Sequence, residues 1–132
     1  VGSKQELLDV VKKSLAETGD ITAEIGTELM ECANHLRVEQ TEELFNSLSE
    51  AFDNLSYLMD YIRELRNGLK HLDVSQEPLS CWDKSLVVLR DMASAFERKD
   101  WIMLADLIQY EFCPILEEGG KGLHTLKETL GA

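Results

Sequence analysis

Residues 41–72 read TEELFNSLSEAFDNLSYLMDYIRELRNGLKHL, and the spacing of their apolar positions decides the fold. Leu44, Leu48, Phe52, Leu55, Leu58, Ile62, Leu65, Leu69 and Leu72 step by three and four along the whole stretch. That spacing puts them on one side of a helix. Thr41 suits the first position, because its hydroxyl can accept from a free N–H group, and Glu42 and Glu43 complement the positive end of the helix dipole. At 1.5 Å per residue such a helix is about 48 Å long.

Three further stripes share this period. The first is Leu8, Val11, Leu15, Thr18, Thr22, Ile25, Leu29, Cys32 and Leu36, expected on a helix over 4–37 with Ser3 and Glu6 as a capping box. Leu79, Trp82, Leu86, Leu89, Ala93 and Phe96 predict a third helix over 80–98, with Ser80 as its cap just after Pro78. The fourth stripe runs Trp101, Leu104, Ile108, Phe112, Ile115, Gly119, Leu123, Leu126 and Leu130, behind Asp100 as cap. Gly19-Asp20 and Gly119-Gly120 could interrupt the first and last helices. The apolar frame crosses both in phase, which favours unbroken helices weakened there. Pro114 cannot donate to the Tyr110 carbonyl, so a kink is expected over 110–114. No period-two pattern appears. The expected fold is all-α: a single domain, 1–132, forming an antiparallel four-helix bundle with two long N-terminal helices, a shorter third helix and a Pro-kinked fourth.

The helix lengths generate an expectation about function. The first helix would reach about 50 Å and the third only about 28 Å. A third helix that turns back early leaves part of the first hairpin bare. The residues expected to form that apolar seam are Ile25, Leu29, Leu44, Leu48 and Phe52 as anchors, with Glu24, Glu28, Glu31 and Glu50 as an acidic rim. Between Ser14 and Ile62 there are eleven acids and one base, Arg37. A seam with such a rim suits a partner's helix or a second copy of the chain, with a homodimer as the expected assembly.

Composition narrows the classes further. The 132 residues include 25 acids against 13 bases, for a formal charge of −12, and no Lys/Arg cluster suited to nucleic acid. No apolar run approaches a membrane span, and no secretory leader is visible. Cys32, Cys81 and Cys113 read as reduced thiols of a cytoplasmic protein. A carboxylate-bridged metal pair needs Glu three residues before His, but Cys32, Gly68 and Lys121 precede His35, His71 and His124 at that spacing. No metal or other cofactor is therefore expected. No nucleophile elbow or phosphate loop occurs, and 119–122, Gly-Gly-Lys-Gly, reads as a flexible helix joint. These features point to a non-enzymatic protein–protein interaction module, adaptor-like or chaperone-like.

Two short resemblances bear on that reading. The segment from Ala95-Phe96-Glu97-Arg98-Lys99-Asp100-Trp101 to Glu118 resembles a helical hairpin of bacterial flagellar export chaperones of the filament-cap type. It implies a protein that holds another protein's helix. Leu123-His124-Thr125-Leu126-Lys127 resembles the active helix of histidine phosphotransfer domains, which implies phosphotransfer at His124 as the alternative function. Glu128 departs from that pattern, standing where the family has Gly.

Overall fold

The computed structural model describes residues 3–131; Val1, Gly2 and Ala132, the outermost residues of the expected domain, lie outside them. Helix α1 (Lys4–Leu36) and helix α2 (Glu42–His71) form a long antiparallel hairpin. A 3-10 segment (Glu77–Lys84) leads into α3 (Ser85–Glu97). The last helix of the bundle is continuous but made of three pieces: α4 (Trp101–Asp106), a π segment (Leu107–Phe112) and α5 (Cys113–Thr129). There is no strand among the described residues. The fold is thus an all-α four-helix bundle in which α1 lies between α2 and the fourth helix.

Local chemistry explains most boundaries. The Ser3, Thr41 and Asp100 side chains accept from the backbone N–H of Glu6, Leu44 and Met103, each at 3.1 Å. Each satisfies one donor that the helix start leaves free. Gly19 does not break α1, and Gly119-Gly120 does not break α5. Thr18 and Thr22 fill core positions, and Thr22 Oγ1 donates to the Thr18 carbonyl at 2.7 Å, so its hydroxyl is not stranded. Ahead of Pro114 the backbone widens. The Cys113 N–H bonds the Ile108 carbonyl, five residues back, so the missing Pro114 donor is accommodated by a π turn.

The third element departs from expectation in two ways. It begins at Glu77 rather than Ser80, with Pro78 in its first turn and no side-chain cap. Its buried face is Leu79, Trp82, Ser85, Val88, Met92 and Ala95, while Leu86 and Ala93 are exposed. The cause is the period of the 3-10 helix. At three residues per turn the inward positions recur every third residue, and a count in steps of three and four passes Ser85 and lands on Leu86.

The same geometry overturns the seam. A 3-10 helix rises about 2.0 Å per residue, so eight residues add about 16 Å before the roughly 20 Å of α3. The third element therefore reaches the tip of the first hairpin. There Phe96 meets Phe45 and Phe52 edge-on at 6.4 and 6.0 Å between centroids, and Trp101 lies 5.0 Å from Phe45. Ile25, Leu29, Leu44 and Leu48 are buried by their own chain, and Phe52 is half-buried against the core. None of the five is a bare anchor.

Two half-buried arginines tie the ends together. Arg37, just past α1, donates to Asp106 at 2.7 Å and Gln109 at 3.0 Å and lies 5.9 Å from the Tyr110 ring centre. Arg66 on α2 reaches Gln76 at 3.0 Å and Asp83 at 2.7 Å. Between these clamps the 3-10 segment lies directly on α5. A Cβ at Gly122 would overlap the Pro78 carbonyl, and one at Gly119 would overlap the Trp82 indole. Gly119 and Gly122 are therefore packing positions within an unbroken helix, not a joint.

Gly119→Ala and Gly122→Ala should each destabilise the fold by about 1–3 kcal/mol through overpacking, despite the better helix propensity of Ala. Urea unfolding followed by circular dichroism measures this, with Gly122→Ala the more severe because it meets backbone rather than a side chain.

Candidate functional site

The predicted rim residues do not form one site. Glu24, Glu28, Glu31 and Glu50 are all exposed. Glu28, Glu31 and Glu50, joined by Glu43, surround a small cleft of about 330 Å³ between α1 and α2, whose walls include Cys32, His35 and Leu44. Glu24 lies outside it. The Cys32 thiol is pushed above its ordinary value, first by burial and then by the charges of Glu28 and Glu31, so the cleft has a negative field. No group of three or more His, Cys, Asp or Glu side chains among the described residues is placed to hold a metal ion.

A larger feature lies on the other side of α1. Between α1 and α5 runs an open groove of about 960 Å³. Its α1 wall carries Gly19, Ala23, Gly26, Thr27 and Met30, and its α5 wall carries Cys113, Leu116, Gly120 and His124. The α1 wall follows a 4-3-4 spacing from Gly19 to Met30; its small residues, Gly19, Ala23, Gly26 and Thr27, share one face for about two turns, and the wall runs on through Met30 to Asn34, roughly 22 Å in all.

The glycines on this groove differ from those elsewhere in the helices. Gly119 and Gly122 have close internal neighbours, and a Cβ at Gly68 would stand 2.9 Å from Val11 Cγ2. At Gly19 nothing lies within 4 Å of an added Cβ, and at Gly26 and Gly120 the nearest atoms are at 3.9 and 4.0 Å. All three have ordinary helical φ values. No turn or close approach within the chain accounts for them, yet each costs its helix about 1 kcal/mol relative to Ala.

The polar groups at the groove are few. Cys113 is half-buried, and burial pushes its thiol up to about 11, so it is a protonated, unreactive group at neutral pH. His124 is exposed, and its Nε2 lies 2.9 Å from Glu128 Oε1. Lys121 lies 3.8 Å from Glu117. Sequence reading missed Gly19, Ala23, Gly26 and Gly120 as a set; the available signal was the recurrence of small residues at helical spacing along the first stripe's flank.

Fold and groove together define an all-α bundle with an open groove between α1 and α5. The chain belongs to the family described as Domain of unknown function (DUF8042), whose profile matches residues 7–119. No curated protein and no solved structure matches it. The matched span holds α1, α2, α3 and the fourth helix as far as Gly119, so it includes the whole α1 wall of the groove. No helix of the described residues is long and apolar enough to cross a membrane.

Gly19→Ala and Gly120→Ala should each stabilise the protein by about 0.5–1 kcal/mol, read as a higher thermal midpoint. For Cys113, the folded chain holds the thiol proton more tightly than the unfolded chain. The resulting stability is present below the ordinary value of 9.0 and lost as pH rises through about 11. Iodoacetamide labelling of Cys113, followed residue by residue by mass spectrometry, should show its midpoint near that higher pH.

Proposed function

We propose that this protein is a non-enzymatic protein-binding module, adaptor-like or chaperone-like, that takes a helix of a partner into the groove between α1 and α5. The observation that carries this reading is the set of three groove glycines, Gly19, Gly26 and Gly120, at each of which the chain leaves room for a Cβ. Small residues at helical spacing let a second helix approach closely enough for backbone-level packing. A cost in stability that nothing internal offsets is the mark of a surface kept for another molecule. The groove's length fits a helix of about fifteen residues better than a compact metabolite. The likeness of 95–118 to a helix-holding chaperone hairpin agrees with the same class.

The test is site-specific photo-crosslinking in the cells that make the protein. A benzophenone side chain replaces Thr27, on the groove, or Tyr57, exposed on α2 and away from it. The Thr27 variant should form one dominant adduct with an amphipathic helical segment, lost when Ala23→Trp fills the groove. Adducts formed equally from Tyr57, or none from Thr27, would exclude the groove as the binding face.

A further inference from the structure

We infer that the helix received by this groove is basic along one flank and comes from a different protein, not from a second copy of the chain; this rests on the helix-in-groove reading above. From Ser14 to Leu36, α1 carries five acids, Glu17, Asp20, Glu24, Glu28 and Glu31, and no Lys or Arg. Three of them border the groove. Asp20, Glu24 and Glu31 each follow a wall residue, Gly19, Ala23 and Met30, by one position. One position is a rotation of about 100°, from the wall to the outer lip. Glu31 itself lines the groove.

These carboxylates have no counter-charge. None of the five lies within 4.0 Å of a cationic group among the described residues. Across the groove, Lys121 and His124 are already engaged by Glu117 and Glu128. The lip on α1 is therefore an uncompensated row of negative charge beside an apolar floor. A helix with small or aliphatic residues on one face and Lys or Arg along its edge complements both features. A second copy does not. A second copy would bring a further −12 of net charge and an equally acidic lip to the contact.

The experiment uses the whole chain and two synthetic amphipathic helices with the same apolar face. One carries Lys along a flank at the spacing of Asp20, Glu24 and Glu31; the other carries Glu there. Fluorescence anisotropy should show the Lys peptide binding at least about tenfold more tightly at low salt, with the difference shrinking at high salt. The double variant Glu24→Lys/Glu31→Lys should reverse the order, and circular dichroism confirms that it is folded. Equal binding of both peptides, abolished by Ala23→Trp, would overturn the charge inference and leave the groove reading standing. Lys-peptide binding that survives Ala23→Trp, or no binding of either peptide, would overturn both. A dimer in sedimentation equilibrium that the Lys peptide dissolves would overturn the assignment to a different protein.

Discussion

The contact on which this bundle depends is the one between the 3-10 segment and α5, where the Pro78 carbonyl sits over Gly122 and the Trp82 indole over Gly119. Hydrogen side chains at 119 and 122 let the two elements meet at backbone distance. That closeness brings Leu79 and Trp82 fully into the core. It also anchors the base of the third element, so that the stretched 3-10 turns carry Phe96 up to Phe45 and Phe52. Without this contact the apolar residues at the hairpin tip would lack cover. The third element thus starts three residues before Ser80 and climbs more steeply through its 3-10 turns, and Phe96 and Trp101 cover the hairpin tip from within the chain.

The helical glycines fall into two physical groups. Gly68, Gly119 and Gly122 stand where another part of the chain comes too close for a methyl group. Their conformational cost is offset by dense packing, which in protein interiors matches that of organic crystals. Gly19, Gly26 and Gly120 have no such offset, and all three open onto one groove. Two groups of one residue type thus have opposite meanings: one is settled by what it touches, the other by what it leaves open.

Much of the architecture was legible in the sequence, and the reasons differ by element. Helices α1 and α2 are long and strictly periodic, so their buried faces agree with the stripes from Val11 to Leu36 and from Leu44 to Leu69, Phe52 alone of these being half-buried. Caps at Ser3, Thr41 and Asp100 were legible because oxygen side chains stand at the boundary itself. The third element was misread at Leu86, since a propensity count in α steps has no access to a switch of period at Pro78. Starting the element at Ser80, with an α rise throughout, made it look too short and turned Ile25, Leu29, Leu44, Leu48 and Phe52 into expected anchors. The groove escaped for a different reason. A reading built on large apolar side chains weighs what is present, and this surface is made of residues that contribute almost nothing to such a count.

The two tryptophans divide the molecule between them. Trp82 is enclosed against the rear of the helix that forms one groove wall, and Trp101 is half-exposed among Phe45 and Phe96 at the far tip. Indole emission depends on the polarity around the ring, so the chain carries two native optical gauges in unlike surroundings. One watches the wall of the open face from behind; the other watches the seal at the opposite pole, and replacing either indole by Phe leaves the other to report alone, without attaching any dye.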